Sequence, residues 1–513
     1  MKKFINHIWC LTSLAASIVL VSSCNDFFDV EPENGHKTSE YYRTIDEVNG
    51  AALGIYAPLA QHVHQLFLWG SARADMVTTG TGSDAYTTEF VNNEVSVLNP
   101  YTNYAFLYQT IARCNHHLEH LCEFKTTYNI SDIEMEVFYG EAYFVRALCY
   151  YYLVRTFEEV PLLLEDISNN VRIVTENNDT VSLKTLDLTE EQLRAVALQP
   201  TEKSKIWASI MSDLNKAITL LETKTHYYPP YSYADNQWVY GRASQAAVYT
   251  LSAEVALWMG LYERASSMAE FIVVNRSVGS QGNWSSQFTG NGIDGGYSVF
   301  MIPYQYANAF ETNRMQEFTS NIASDGGKYM VKPALEVVEN TFSETKDVRR
   351  VSWMMVNRQP VIWKYIGKDE GGLAMRDPYQ SDAPFHIFKC TDGFFLKGIA
   401  ENRLGNPKAA LEMLNQIRKN RGLETYKEED ISLKMIDMED RLFQEKARET
   451  AFEGRRFYDL MLMEKFGRKG ILAEKISKKY PAAQREAVKA YLSDESHWYL
   501  PIEPERWSKV NEY

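Results

Sequence analysis

The chemically richest run in the chain is His116-His117-Leu118-Glu119-His120. On a helix this H-x-x-E-H pattern sets two imidazoles on one face, one turn apart, with a carboxylate beside them that could serve as a general base. That is the arrangement of an inverted zincin. Cys114 and Cys122 flank it. A zinc site of this kind needs a third protein ligand, and no later helix offers that carboxylate. The segment therefore reads as a helix face carrying several histidines. A metal-dependent surface hydrolase using His116 and His120 stands as the alternative. Gly290-Asn291-Gly292-Ile293-Asp294-Gly295 fits G-x-G-x-x-G. A dinucleotide loop of that form follows a strand and opens a helix, whereas here the strand-like run comes afterwards, over 297–302, so the match is rejected. There is no G-x-S-x-G elbow and no Walker loop. Carboxylate pairs are plentiful, but a glycosidase pair is defined in space rather than along the chain. The expectation is a protein that is not an enzyme and that holds neither cofactor nor metal.

A second concentration of charge is Glu445, Arg448, Glu449, Glu453, Arg455, Arg456 and Asp459. Spacings of three and four residues on one helix predict contacts Glu445–Arg448, Glu453–Arg456 and Arg455–Asp459. An ion-pair network that holds helices together is the reading favoured over catalysis. The whole chain has 513 residues, 53 Lys+Arg against 67 Asp+Glu, and a formal net charge of −14. An acidic surface repels phosphate, which argues against nucleic acid and bare anionic lipid as partners. Hydrophobic and charged fractions of 45% and 23% exclude a disordered, collagen-like or many-span membrane chain. Tyrosine leads the aromatics, 32 beside 24 Phe and 10 Trp, and its ring and hydroxyl suit contact surfaces as well as cores.

The elements that must position these residues begin behind a leader. Lys2 and Lys3 precede an apolar run over 8–21, too short to cross a bilayer comfortably and shaped like a secretory h-region. Val21-Ser22-Ser23-Cys24 then reads as a lipobox, with cleavage before Cys24 and acyl chains on it. Four cysteines remain in the body, Cys114, Cys122, Cys149 and Cys390, too few for a disulfide framework. The first three are expected to pack as small hydrophobes.

Thr44-Ile45-Asp46-Glu47 is a capping box. Helices are predicted over 104–124, from a second capping box at Ser131 to before Pro161, over 206–221, as a pair over 243–274 hinged near Gly260, over 392–404, behind Asn406 and Pro407 up to Gly422, and over 437–466. Residues 71–99, 165–200 and 279–377 lack helical periodicity. The last of these carries short β-like runs such as Val299-Phe300-Met301-Ile302. Gly260 to Ala265 and Gly405 to Ala410 both place Gly five residues before Ala between two helices, the tetratricopeptide spacing. The period is irregular along the chain, so the expected fold is mainly α: tetratricopeptide-like helical pairs with a long, irregular, loop-rich insertion containing short strands. The expected partition is 1–23 leader, 24–275 N-terminal helical region, 276–380 irregular insertion and 381–513 C-terminal helical region.

Glu449-x-Ala451-Phe452-Glu453-Gly454-x-Arg456-x-x-Asp459-Leu460 resembles the C-terminal signature of the SusD/RagB family of Bacteroidetes outer-membrane nutrient-binding lipoproteins. Cys24-Asn25-Asp26-Phe27-Phe28-Asp29-Val30-Glu31-Pro32 is similar to the family's mature N-terminus, and Glu141 to Ala147 with Val160-Pro161-Leu162 to its first long helix and exit. Gly241-Arg242-Ala243, Ala400-Glu401-x-x-x-Gly405-x-x-x-Ala409, and the ending Tyr499-Leu500-Pro501-Ile502 with Asn511-x-Tyr513 also fit. The chain departs at Glu158-Glu159, Thr450 and Glu512, where the family often has Gly-Asp, Leu and Pro.

The resemblance implies a non-enzymatic lipoprotein, held on the cell surface at the outer membrane through Cys24. Such a protein captures oligosaccharide for a SusC-like TonB-dependent transporter. Glu449, Glu453, Gly454, Arg456 and Asp459 become its structural signature. Ligand specificity is expected in the loop-rich stretches that match no family motif. Sugar rings present an apolar face to aromatic rings, and their hydroxyls need polar partners. Trp69, Arg73, Asp75 and Tyr86 from the first loop region, with Trp284, Tyr304 and Tyr306 from the insertion, are the expected binding residues. A protein-only helical interaction scaffold is the remaining alternative.

Overall fold

The computed structural model describes residues 42–165, 172–174, 180–182, 199–221, 241–279, 282, 284–288, 297–304, 313–368, 374–377 and 379–502. Residues 1–23, read above as a leader, Cys24, the Gly290 to Gly295 run, Tyr306 and the final Asn511 to Tyr513 lie outside them. The chain divides into two compact units, Met1–Val48 and Asn49–Tyr513. In the first, the capping box forms as read: the Thr44 hydroxyl accepts from the Glu47 amide at 3.2 Å, and the Glu47 carboxylate accepts from the Thr44 amide at 3.1 Å.

In the second unit long helices follow one another in space as they do in sequence. They are α1 Ala105–Tyr128, α2 Asp132–Phe157, α3 Lys203–Leu221, α4 Gln245–Trp258, α5 Tyr262–Asn275, α6 Cys390–Arg403, α7 Pro407–Lys419, α8 Met435–Glu449 and α9 Arg456–Lys465. From α1 to α8 each packs on the next, including α5 on α6 across more than a hundred intervening residues. The insertion thus leaves the helical array uninterrupted.

Local sequence explains the pairs. Ile206, Ile210, Leu214, Ala217 and Leu221 recur at three- and four-residue steps along α3, and all are buried. Arg146 on α2 grips Asp213 on α3 bidentately at 2.7 and 2.8 Å. Gly260 and Gly405 sit at φ 73° and 84° where α4 turns into α5 and α6 into α7. A Cβ at either would meet nothing, so it is the left-handed backbone that calls for glycine. Ala265 and Ala410 are fully buried.

Two expectations are corrected. The predicted helix over 437–466 is two helices, because Phe452 at φ 66° and Gly454 at φ 72° turn the backbone left-handed between α8 and α9. Of the three cysteines read as core, Cys114 and Cys149 are buried, but Cys122 falls on the solvent side of α1.

The strands form two-stranded antiparallel sheets: β1 Val77–Thr79 with β5 Val331–Pro333, β2 Arg172–Val174 with β3 Thr180–Ser182, β4 Ser298–Ile302 with β8 Phe385–Lys389, and β6 Trp353–Val356 with β7 Gln359–Ile362. The strand foreseen at Val299 to Ile302 is β4, and its partner runs directly into α6.

Candidate functional site

The pairing of β1 with β5 joins the first loop region to the insertion. Val77 stands opposite Pro333 and Thr79 opposite Val331. The pairing continues past the strands, with the Gly80 amide donating to Met330 O at 2.9 Å and the Gly82 amide to Tyr329 O at 3.2 Å. A Cβ on Gly80 would lie 2.0 Å from Tyr329 O, and one on Gly82 1.8 Å from Lys328 O. Only glycine lets the two backbones meet this closely.

On the first side of this seam, Asp84 caps the helix Ala85–Asn92, accepting from the Thr87 amide at 2.7 Å. Buried Asn99 donates to Tyr86 O and to the Glu89 carboxylate, and its own amide oxygen accepts from the Tyr101 amide. This fixes Tyr86, whose side belongs to the surface at 45% exposure. It also sets the Tyr101 ring 5.9 Å edge-on from Phe318.

Across the seam, Arg314 opens the turn Met315–Thr319 and holds Glu317 through two hydrogen bonds at 2.9 and 3.1 Å, while Lys328 reaches the same carboxylate at 2.6 Å. Partial burial pushes the Glu317 carboxyl up, but the hydrogen bonds from Arg314 and Lys328 outweigh it and hold it below the usual range. Burial raises the Tyr101 phenol, with Arg314 opposing and Asp84 adding to the rise. His64, behind Tyr101 and Phe318, is pulled down to about 3 by burial and by Arg314, so it is neutral at physiological pH and packs as a ring. Tyr379, 69% exposed, lies over Gly326, two residues before Lys328. The result is a cluster of a guanidinium, an ammonium and carboxylates over the buried Tyr101 phenol, with the exposed Tyr379 ring over Gly326 and the exposed Tyr86 ring on the other strand's side of the seam. It can stack an apolar face and exchange hydrogen bonds with hydroxyls.

The structure moves most of the expected binding residues off this surface. Trp69 has no exposed area: its indole donates to Tyr101 O at 2.7 Å, and its ring packs on Phe106 and Phe157. It supports the site from beneath. Arg73 is buried over Phe457 and donates to Asn93, Trp498 O and His497 O. Asp75 pairs bidentately with Arg456 at 2.9 Å. Trp284 is core with Phe288 and Tyr297, and Tyr304 is buried with its hydroxyl on Ala60 O. Such large rings are held inside because helices and strands from distant parts of the chain close over them, which loop composition does not reveal. Tyr86 keeps a surface position. Tyr101, Arg314, Glu317, Lys328 and Tyr379 were not singled out in the sequence. The signals for them were the Arg314–Glu317 spacing and the glycines at 80, 82 and 326.

Below the seam lies the acidic signature. Glu449 receives Arg421 at 2.8 and 2.9 Å and Arg349 at 3.3 Å. Glu453 receives Lys364 at 2.5 Å and Lys389 at 2.8 Å. Asp459 receives Lys446 at 2.6 Å. Of the contacts read from helical spacing, Glu445–Arg448 forms, at 3.5 Å. Glu453–Arg456 and Arg455–Asp459 do not: Arg456 goes to Asp75, and Arg455 to Asp392 and Glu254. The break between α8 and α9 destroys the spacing of Glu453 and Arg456. Arg455 and Asp459 keep theirs at the start of α9, but the Arg455 guanidinium is taken by Asp392 and Glu254 and the Asp459 carboxylate by Lys446. Burial pushes the Glu449 carboxyl up, but Arg421 and its neighbours overcome it and hold the group well below the usual range. Gly454 donates to Ser71 Oγ at 2.8 Å, and a Cβ on the facing Gly70 would lie 1.8 Å from Gly454 O. The signature thus fastens the C-terminal helices to the turn Leu68–Ala72 that carries Trp69.

His116 and His120 lie within α1 with ring centroids 4.2 Å apart, and His120 pairs with Glu123 at 3.1 Å. Among the described residues no three His, Cys, Asp or Glu are grouped to hold a metal ion. No described helix is long and apolar enough to cross a membrane.

Comparison with known proteins agrees with this architecture. Residues 26–257 match a family described as "Starch-binding associating with outer membrane", and residues 273–512 match the SusD family. A SusD-like protein of Formosa agariphila is 24% identical over 499 residues, covering 90% of this chain and 92% of its own. Among solved structures, a SusD superfamily protein of Bacteroides vulgatus superposes with a TM-score of 0.72 at 18% identity, covering 92% of this chain and 98% of that one. The surface glycan-binding protein A of Bacteroides uniformis gives 0.70 at 18%, covering 91% and 98%. B. fragilis NanU gives 0.66 at 19%, covering 94% and 98%. These structures share the fold, and with two consecutive family matches spanning almost its whole length, the chain belongs to the SusD/RagB family.

Proposed function

We propose that this protein is a cell-surface glycan-binding lipoprotein, anchored in the outer membrane through lipid on Cys24, that captures oligosaccharide for a SusC-like TonB-dependent transporter and does no catalysis itself. Family membership supports the class, and the lipobox supports the anchor. The carrying observation is the surface at the β1–β5 seam, where both loop regions contribute: Tyr86 and Asp84 from one side, over the buried Tyr101 ring, and Arg314, Glu317, Lys328 and Tyr379 from the other. In this reading residues 276–380 act as the binding insertion between two helical regions. The phenol rings stack on sugar faces, and the charged groups, already held in place by one another, meet hydroxyls without having to be ordered on binding.

The test is a glycan panel followed by isothermal titration calorimetry with the best ligand. Tyr86→Ala and Arg314→Ala should each weaken binding, by about 1 kcal/mol for the ring and about 1.5–3 kcal/mol for the charged donor, with the melting temperature unchanged. Unaltered affinity in both variants would remove this surface from the site. A protein retained by no glycan but pulling down the transporter would instead favour the interaction scaffold.

A further inference from the structure

A separate cavity of about 270 Å³ opens among α2, α3, α4, α9 and the turn near the C-terminus. Arg155, Lys203, Trp207, Trp258, Lys465 and Glu495 are among the residues that line it. It shares no lining residue with the seam surface.

Arg155 is nine-tenths buried and more. Its guanidinium lies 3.5 Å from the Tyr151 ring centroid and 4.1 Å from that of Tyr458, and Nε donates to Tyr151 O at 3.0 Å. Among the described residues it has no other hydrogen bond and no carboxylate within ion-pair distance. Arg349, Arg376, Arg418, Arg421, Arg455 and Arg456 hold carboxylates, and buried Arg73, which holds none, spends its guanidinium on Asn93, Trp498 O and His497 O; the Arg155 guanidinium has one such bond. A desolvated charge without a partner is costly, and cation–π contact offsets only part of that.

Lys465, at the end of α9, is a second cation with no ion pair, 5.6 Å from the Trp258 ring centroid. Partial burial pulls its ammonium pKa down and Lys203 adds to the shift, while Glu495 opposes it. Lys203 itself is taken by Glu158 at 2.5 Å, with Glu495 at 4.0 Å. So a chain of net charge −14 keeps at one cavity two cations that form no ion pair among the described residues, with Glu254 and Glu495 acting on them only from further off. Its walls are aromatic, with Trp207 and Trp258 near-parallel at 5.9 Å and 17°.

We infer that this cavity binds a single sugar ring bearing a carboxylate or a sulfate, the anion meeting Arg155 and Lys465 and the ring lying against the tryptophans. The planar guanidinium fork, clamped between two tyrosines, is already oriented for two-point contact with such an anion. The volume, at the lower edge of the roughly 300–1,000 Å³ usual for ligand pockets, suits one ring rather than a chain.

Calorimetry and tryptophan fluorescence with D-glucuronate, a glucose monosulfate and D-glucose test it. At least one acidic sugar should bind saturably and glucose should not, and which acid binds identifies the anion. Lys465→Glu, at an exposed position, should weaken that binding about tenfold or more, the worth of one charge-assisted hydrogen bond. Trp207→Ala should weaken it and reduce the fluorescence change. Tyr86→Ala and Arg314→Ala should leave it intact, so failure here and failure at the seam are distinguishable. No heat and no fluorescence change with either acid, equal binding of glucose, or wild-type affinity in Lys465→Glu would each overturn the inference.

Discussion

Glu453→Gln isolates the role of the buried acidic signature. Glu453 is the carboxylate for two buried lysines, Lys364 and Lys389. Burial pushes the Glu453 carboxyl up, yet the two ammonium groups hold it below its ordinary range. Lys364 is pulled down to about 8, because burial outweighs Glu453. Removing the charge leaves buried cations uncompensated, which costs about 3–5 kcal/mol. With an unfolding entropy of about 2 cal/mol/K per residue, a 513-residue chain melts with on the order of 1 kcal/mol/K. The melting temperature should then fall by ~3–5 °C.

The sign of the pH dependence follows from Lys364. Its folded pKa lies below its unfolded one, so between the two the unfolded state binds more protons and stability rises with pH. In wild type that rise begins near about 8. Without Glu453 the folded pKa drops further, so the rise begins earlier and the deficit of the variant shrinks from neutral pH upward. Calorimetric melts across that range measure both effects. An unchanged melting temperature, or a deficit constant with pH, would refute the reasoning. Retained melting with lost glycan binding would move Glu453 into the binding site.

Three further outcomes follow. Trp69→Ala removes a fully buried ring and should destabilise the fold by about 3–5 kcal/mol, seen by denaturant titration, with the anchor of Tyr101 O lost; normal stability with reduced glycan binding would return Trp69 to the surface role read from the sequence. Gly454→Ala strains a residue at φ 72° against Leu66 O at 2.9 Å and should cost about 1–3 kcal/mol, measured in the same assay, whereas a neutral change would mean the junction with the turn Leu68–Ala72 is slack. Cys24→Ala should release the protein from the membrane fraction on cell fractionation, and continued tight retention would refute lipid attachment there.

Local order was legible because it is written locally. The Ile206 to Leu221 stripe, the capping box at Thr44, and the Gly-to-Ala spacings at 260 and 405 state helix, cap and turn within a few residues, and the structure has them there. The SusD/RagB signature was legible as a string, but its pairings were not. Glu453 finds Lys364 and Lys389, and Arg456 finds Asp75, across separations no helical period encodes. Which aromatic rings are exposed was not legible for the same reason. Composition marked 71–99 and 279–377 as loops, and Trp69 and Trp284 looked like loop aromatics. Whether an aromatic ring faces water depends on what packs over it, and that is decided by β1 meeting β5 and by helices from both ends of the chain closing on the turn Leu68–Ala72. The sequence by itself determined the helical pairs, the family signature and the absence of a catalytic motif. Only the tertiary structure decided which charges neutralise which, which rings are core, and where Tyr86, Arg314 and Tyr379 stand, because burial and ion pairing belong to the packed chain and not to any segment of it.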